Sequence, residues 1–245
     1  MKRSLEKELM DLPGNPLGLL EGDLRNLRII NRTLGAARGV LCCLRFIVRR
    51  DHLRSFSLLD VGAGSGDIPI SIVHWARREG ISAKVVALEP HPVTARVARR
   101  LTADFPEIFV VEGNGFCPPF SPGAFDFVFA SQMLHHFAAE EIAALLRGWA
   151  QLARKAVLVS DLIRHPMAYY GIRLMTRLFT RNVMTLNDAP LSVRRAFTME
   201  EWSGMFRRAA IGEFRIQPIF PFRLFAFFPL SHLTTKSVPT MPRSS

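Results

Sequence analysis

The sequence of 245 residues predicts an α/β fold built on a doubly wound, mostly parallel sheet. Between residues 56 and 161, short apolar runs alternate with segments of helical periodicity, a pattern typical of parallel strands joined by crossover helices. A glycine-rich turn follows the first apolar run, at the place where such sheets bind ligands. With 49% hydrophobic and 22% charged residues, the chain can bury an ordinary globular core.

Five strands are predicted, at FSLLDVG, AKVVALE, IFVVEG, FDFVFAS and KAVLVSD. Helices over residues 67–79, 93–103 and 138–153 connect them. The last helix has the clearest pattern, because one apolar stripe is formed by Ile142, Leu145, Leu146, Trp149 and Leu152. Its first turn contains Glu140 and Glu141, where the helix dipole favours negative charge.

The flanking segments predict additions to this core. Residues 1–55 form an N-terminal helical cap with two helices within 23–50, and residues 56–161 are the cofactor-binding core. Residues 162–197 form a helical lid, in which Arg173, Arg177 and Arg181 recur every four residues on an amphipathic helix. Residues 198–230 add a helix and two strands broken by Pro221, so that an antiparallel C-terminal strand completes the sheet. Residues 231–245 form a flexible tail.

Composition points to a cytoplasmic protein. No apolar run approaches the ~20 residues of a membrane-spanning helix. The stretch MKRSLEKELMD lacks the apolar centre of a signal peptide. The 3 cysteines have neither a disulfide nor a zinc spacing.

The net charge of +11 lies outside the core, because residues 56–160 contain 9 Lys+Arg and 10 Asp+Glu. This distribution does not favour a nucleic-acid partner. The basic flanks are a solvated surface, or they contact an acidic membrane surface or a negatively charged substrate.

The stretch LLDVGAGSGDIP places Gly62, Gly64 and Gly66 at alternate positions after a strand. Asp67 stands where the dinucleotide pattern has its third glycine, and no Gly-Lys-Ser/Thr follows, so a nucleotide P-loop is excluded. Glu89 ends the second strand, where an ionised carboxylate accepts hydrogen bonds from ribose hydroxyls. By themselves these residues fit NAD as well as S-adenosylmethionine.

The stretch VEGNGFCPPFSPGAFDFVFAS resembles the pattern Gly-Asp-Ala-x-x-x-Pro-Phe…Phe-Asp-x-Val of class I S-adenosylmethionine-dependent methyltransferases. Together with LLDVGAGSGDIP, Glu89 and FDFVFASQMLHHF, the resemblance extends over residues 56 to 161 in order and spacing. It implies a Rossmann-like methyltransferase sheet with S-adenosyl-L-methionine as cofactor. It also implies the cofactor-contacting residues, which are Asp60, Gly62, Ala63, Gly64, Gly66, Asp67, Glu89, Pro90, Asn114, Gly115, Ser131 and Gln132.

Within that set, the resemblance assigns parts of the cofactor. The loop from Asp60 to Asp67 lines the methionine part, Glu89 holds the ribose, and Ser131 with Gln132 borders the sulfonium. Asn114 faces the adenine amino group, where the family usually has aspartate. An asparagine carbonyl accepts the same hydrogen bond without charge, which would weaken cofactor binding.

Candidate catalytic residues follow the fourth and fifth strands. His135 and His136 come directly after the fourth strand, and an imidazole can act as a base near neutral pH. Asp161, at the fifth strand end, is the third candidate. His165, Tyr169 and Tyr170 are candidates for contacting the methyl acceptor. Each of these residues also has a structural interpretation, as a helix cap or as lid packing.

The fourth strand ends in ASQML, and not in the Asn/Asp-Pro-Pro-Tyr/Phe of enzymes that methylate exocyclic amines of nucleic acids, so no DNA partner is expected. The apolar cap and lid favour a lipophilic small-molecule acceptor. The stretch NDAPLSVRRAFTMEEW resembles bacterial methyltransferases of polyketide or quinone pathways. We therefore expect O-methylation of a phenolic hydroxyl. The alternatives are C-methylation of a quinone precursor, an RNA-binding methyltransferase or a binding module without catalysis. No metal is expected, because no ligand cluster is visible in the sequence.

Overall fold

The computed structural model describes residues 1–12 and 14–230, so the predicted tail over 231–245 lies outside the described residues. In this described part of the chain, seven strands form one sheet. They are β1 Ser55–Val61, β2 Ser82–Glu89, β3 Ile108–Glu112, β4 Phe125–Ser131, β5 Ala153–Leu162, β6 Arg215–Ile219 and β7 Arg223–Pro229. Their order across the sheet is β3-β2-β1-β4-β5-β7-β6.

The five strands predicted in the core are all present and pair in parallel. β7 runs antiparallel to β5 and to β6, as predicted for the C-terminal strands. Chain order reverses between β1 and β4, and a crevice for ligands forms at such a reversal, outside the carboxyl ends of the strands. This topology confirms the predicted doubly wound α/β fold.

Within residues 1–12 and 14–230, eight α-helices surround the sheet. They are α1 Leu17–Thr33, α2 Arg38–Arg50, α3 Asp67–Arg78, α4 Pro92–Leu101, α5 Ala139–Leu152, α6 Pro166–Phe179, α7 Val183–Arg195 and α8 Met199–Ala209. One apolar layer contains α2 and α3, with Leu44 and Trp75 fully buried beside Phe127 of β4. The opposite layer contains α5 and α8, with Trp149 and Trp202 buried beside Val128. Alternate residues of β4 therefore enter opposite cores.

Two features differ from the sequence-based prediction. The helix α2 belongs to the sheet's own core layer, because its Val40, Leu44 and Ile47 are fully buried there. The lid contains a second helix, α7, which the sequence did not indicate. Asn182 caps it by accepting hydrogen bonds from the amides of Met184 and Thr185.

The first residues of the chain cross the edge of the crevice and are fastened to α7. The amide of Ser4 donates to the carbonyl of Arg194 at 3.0 Å. The amides of Leu9 and Met10 donate to the carboxylate of Asp188 at 2.8 and 2.9 Å. Leu9 and Met10 are also the first two residues of a short 3₁₀ helix, Leu9–Asp11. The N-terminal segment thereby brings its carboxylates to the carboxyl end of the sheet.

Across the part of the chain that the structure describes, none of the helices combines the length and the hydropathy needed to cross a bilayer.

Candidate active site

A cavity of about 430 Å³, here called the loop cavity, opens where β1, β2 and β4 end. The turn after β1 forms one wall of it. Gly62 and Gly64 adopt backbone φ angles of 70° and 55°, which L-amino acids with a side chain rarely adopt. A Cβ added to Gly62 would lie 3.1 Å from the Met133 side chain, whereas a Cβ on Gly64 would enter open space. The turn therefore presents bare backbone to whatever fills the loop cavity.

Glu89 is fixed at the end of β2 by two backbone donors. Its Oε2 accepts from the amide of Gly64 at 2.9 Å, and its Oε1 accepts from the amide of His91 at 3.0 Å. Burial raises the pKa of this carboxyl to about 7, although both hydrogen bonds favour its charged form. The carboxylate is thus oriented toward the loop cavity before any ligand binds, as the ribose assignment requires.

Other polar groups that line the loop cavity have unused hydrogen-bonding capacity. Asp60 Oδ1 and Ser131 Oγ are buried without a hydrogen-bond partner among residues 1–12 and 14–230. Burial, with the nearby carboxyls of Asp67 and Glu89, raises the pKa of Asp60 well above its usual value. Such groups gain from a ligand that carries donors and positive charge. The ammonium and sulfonium of S-adenosylmethionine fit this environment.

Gln132 connects the loop cavity to α1. Its φ of 52° is unusual for a residue with a side chain. Its Nε2 donates to Asn31 Oδ1 at 2.8 Å, and Asn31 Nδ2 donates to Asp67 Oδ2 at 3.2 Å. Asn31 was not a predicted site residue, because its role depends on how α1 packs.

Three residues of the predicted cofactor set do not line the loop cavity. Gly66 begins α3, and a Cβ there would lie 2.9 Å from Thr102. Gly115 is buried, and its carbonyl accepts from Trp149 Nε1 at 2.9 Å. Asn114 is exposed, and its Oδ1 accepts from the amide of Phe116 at 2.9 Å. The two glycines serve packing in this structure, whereas the adenine contact of Asn114 stays a prediction.

The two predicted catalytic histidines lie together at the far wall of the loop cavity. His135 is buried, and its Nδ1 lies 2.7 Å from Asp161 Oδ1. Asp161 does not line the cavity, and it also accepts from the amides of Leu134 and Leu162. In this structure Asp161 therefore orients His135 and is placed to act through it.

Glu8 of the N-terminal segment joins these histidines. Its Oε1 lies 3.6 Å from His135 Nε2 and 3.7 Å from His136 Nε2. Burial disfavours a charged imidazole, but Asp161 and Glu8 more than offset this and raise the pKa of His135 to about 9. The two carboxylates thus favour the protonated form of His135, which must lose its proton before it can act as a base or bind a metal ion.

A second, apolar cavity of about 210 Å³, here called the chamber, adjoins the loop cavity. Leu27, Asn31, Gln132, Leu162, Ala189 and Ser192 line both cavities. The lid helix α6 contributes Met167, Ala168, Gly171, Ile172 and Met175. Arg223 also lines the chamber. It is fully buried, and its Nε and Nη1 have no hydrogen-bond partner within the described part of the chain. Sequence analysis missed Arg223 because it occurs in an apolar strand.

The predicted acceptor-contacting residues do not line the chamber. His165 caps α6 by accepting from the amide of Met167 at 3.2 Å, and its ring stacks on Phe222. Tyr170 is 66% exposed, and Tyr169 packs edge-on against it. The sequence predicted that these residues belong to the lid, but it did not show which face of α6 lines a cavity. In this structure the face that lines the chamber contains Ala168, Gly171 and Ile172 instead.

Comparison with known proteins identifies the domain. Residues 58–156 match a family model described as a methyltransferase domain. A search of curated proteins gave no significant match.

Several solved structures share the fold. The plantazolicin methyltransferase, solved with a triazolic desmethyl analogue and S-adenosylhomocysteine, superposes with a TM-score of 0.65 at 13% identity, over 85% of this chain and 90% of that one. Human N-acetylserotonin methyltransferase, solved with S-adenosylmethionine, gives 0.60 at 16% identity over 86% and 56%. A protein of Methanococcus maripaludis described as a putative S-adenosyl-L-methionine-dependent methyltransferase gives 0.59 at 13% identity over 88% and 95%. These similarities confirm the predicted class I fold.

Proposed function

We propose that this chain, an S-adenosylmethionine-dependent methyltransferase with the class I fold, methylates a lipophilic small molecule at a phenolic or quinol hydroxyl. The observation that carries the proposal is the apolar chamber, which adjoins the loop cavity that the two histidines line. The two cavities share six lining residues and are therefore neighbours. A substrate ring in the chamber would thus have its hydroxyl next to a cofactor in the loop cavity. Polyketide aromatics belong to the same chemical class.

The chain's own residues account for cofactor binding. When bound, S-adenosylmethionine supplies a methyl group that a nucleophile takes up while the carbon–sulfur bond breaks and its electron pair stays on sulfur. The bare turn at Gly62 and Gly64 leaves room for the methionine part, and Glu89 accepts from the ribose hydroxyls. Asp60 and Ser131 offer unused polar atoms to the same ligand. The protein thus mainly aligns the reactants and excludes water.

Cofactor affinity is expected to depend on pH through Glu89. Hydroxyl donors favour the ionised carboxylate, whereas burial holds its pKa at about 7 in the free protein. The Kd for S-adenosylmethionine should therefore rise by up to about tenfold for each pH unit below about 7, and it should be constant above that pH. Calorimetry between about pH 6 and pH 8 measures this slope. Equal slopes in the wild type and in Glu89→Ala would contradict the assignment.

The chamber favours a phenolic or quinol acceptor over a purely aliphatic one. Its walls are apolar except for Asn31, Gln132, Ser192 and the buried guanidinium of Arg223. An oxygen-bearing ring satisfies both features, because the ring fills the apolar walls and its oxygens can accept from the unpaired donors. The phenolic proton would leave toward the carboxylate of Glu8, which lines the adjoining loop cavity.

The acceptor class is tested by incubating the protein with S-adenosylmethionine and a panel of phenols, quinols and aromatic polyketides, followed by mass spectrometry. We expect a gain of one methyl mass on an aromatic hydroxyl. Fragmentation that places the methyl group on a ring carbon would favour C-methylation instead. Binding of RNA with a steep dependence on salt, without methylation of any panel member, would favour the RNA-binding alternative and contradict the proposal.

The outer face of α6 supports contact with an anionic membrane surface, from which a lipophilic acceptor could be taken. Leu174 and Leu178 are 61% and 68% exposed, and Arg173 and Arg177 are exposed on the same helix. Exposed apolar side chains beside arginines are typical of helices that lie on lipid.

Replacing Leu174 and Leu178 together by glutamate is expected to abolish co-sedimentation with anionic vesicles. The double substitution removes the apolar side chains that would insert into the lipid, and the new carboxylates are repelled by the anionic headgroups. The matched control is Phe109→Glu, an exposed apolar residue on β3 at the sheet edge. This control should sediment like the wild type. Wild-type protein that does not sediment with the vesicles would refute membrane contact.

A further inference from the structure

Three side-chain atoms converge at the wall of the loop cavity where acceptor and cofactor would meet. The Nε2 atoms of His135 and His136 lie 3.6 and 3.7 Å from Glu8 Oε1, and the three residues offer ligand atoms that all lie within 4.8 Å of one another. A tetrahedral metal ion with bonds of about 2.1 Å separates its ligand atoms by about 3.4 Å. The two distances from Glu8 Oε1 are close to that value before any ion draws the atoms together.

In both imidazoles, the Nδ1 atom, which faces away from Glu8, contacts a carboxylate. His135 Nδ1 lies 2.7 Å from Asp161 Oδ1, and His136 Nδ1 lies 2.9 Å from Asp11 Oδ2. Histidines that bind metals almost always donate their other ring N–H to a carboxylate or carbonyl, which fixes the tautomer and turns the free nitrogen toward the ion. Here both Nε2 atoms are oriented in this way toward the same carboxylate.

The buried nitrogen in this group has unused capacity. His135 is 2% exposed, and its Nε2 has no hydrogen-bond partner among the residues that the structure describes. The 3.6 Å separation from Glu8 Oε1 is too long for a hydrogen bond. Glu8 itself is held by Ser192 Oγ, which donates to Oε1 at 2.9 Å. A buried and fixed nitrogen without a partner, such as His135 Nε2, gains from a bound ligand.

We infer that Glu8, His135 and His136 bind a divalent transition-metal ion such as Zn²⁺. Two imidazoles and one carboxylate are a ligand set that such ions favour, and three protein ligands leave a position open to the cavity. The negative charge of Glu8, Asp11 and Asp161 outweighs the nearby guanidinium of Arg195, whose Nε lies 3.9 Å from Glu8 Oε1.

The open position gives the ion a role in the reaction. An acceptor hydroxyl that replaces water there would release its proton to solvent more readily, because the metal stabilises the oxygen anion. The oxygen lone pair then forms the bond to the methyl carbon, and the electrons of the broken carbon–sulfur bond stay on sulfur. This role rests on the proposed function, whereas metal binding itself does not.

Metal binding is tested with the chelator-stripped full chain, titrated with ZnCl₂ by calorimetry. We expect one site per chain. Asp11→Asn should weaken Zn²⁺ binding by roughly 10–100-fold, the usual loss when a supporting carboxylate is removed. Glu8→Gln removes a direct ligand and should weaken binding more than Asp11→Asn. The matched control is His74→Ala, because His74 is exposed on α3, outside the cluster.

Binding of S-adenosylhomocysteine to each variant serves as the folding control. Normal cofactor binding with lost Zn²⁺ binding in Glu8→Gln would support the metal site even if no acceptor is methylated. The inference is overturned if the wild type does not bind Zn²⁺, or if Glu8→Gln binds it as tightly as the wild type. The three residues would then be an ion-pair cluster that fastens the N-terminal segment.

Discussion

Replacing Gly64 by aspartate is expected to abolish S-adenosylmethionine binding. Gly64 adopts φ of 55°, and a Cβ at this position points into open space within the loop cavity. The new side chain would occupy the volume assigned to the methionine part, next to the carboxylate of Glu89, which the Gly64 amide binds at 2.9 Å. We expect the Kd to rise at least roughly 1000-fold, equivalent to about 4 kcal/mol.

Gly64→Ala separates backbone strain from filling of the cavity. Alanine suffers the same unfavourable φ, at a cost of about 1–2 kcal/mol, but it is small and uncharged. Its Kd should lie between those of the wild type and Gly64→Asp, and melting temperatures show whether each variant folds. If Gly64→Asp folds and binds the cofactor as tightly as Gly64→Ala does, the turn is not part of the cofactor site.

The second large effect is expected for Glu89→Ala. In the complex Glu89 would be a charged acceptor for the ribose hydroxyls, and such hydrogen bonds are worth about 1.5–3 kcal/mol. The Kd for S-adenosylmethionine should therefore rise roughly 10- to 150-fold. The free protein also loses a partner for the amides of Gly64 and His91, so the turn loses part of its support. Both effects act in the same direction.

Glu112→Ala is the matched control for Glu89→Ala. Glu112 stands opposite Glu89 in the parallel register of β2 and β3, but it is exposed and does not line the loop cavity. Its removal should leave the Kd unchanged. Wild-type affinity in Glu89→Ala, measured by calorimetry, would show that the ribose is held elsewhere.

Much of the cofactor site could be predicted because it is encoded by short segments. The turn after β1 and the acid ending β2 are brought together by the sheet itself, since parallel neighbours end at the same edge. Gly64 and Glu89 therefore meet as expected, with a hydrogen bond between them. Ser131 and Gln132, which the family resemblance assigns to the cofactor, also line the loop cavity at the end of β4.

The residues that could not be predicted reach the site through packing between distant segments. Glu8 meets His135 only because the first residues are fastened to α7, so the metal-type cluster has no recognisable spacing in the sequence. Arg223 occurs in an apolar strand and becomes notable only when its burial and unpaired donors are seen. The face of α6 that lines the chamber likewise depends on contacts that periodicity alone does not determine.

The central claim is that the loop cavity binds S-adenosylmethionine, and calorimetric titration of the purified wild-type chain tests it most directly. We predict one site with a Kd in the micromolar range for both S-adenosylmethionine and S-adenosylhomocysteine, and loss of both titrations in Gly64→Asp. A folded wild-type protein that binds neither compound would contradict the account, because the glycine turn and Glu89 would then belong to a fold that no longer holds its cofactor.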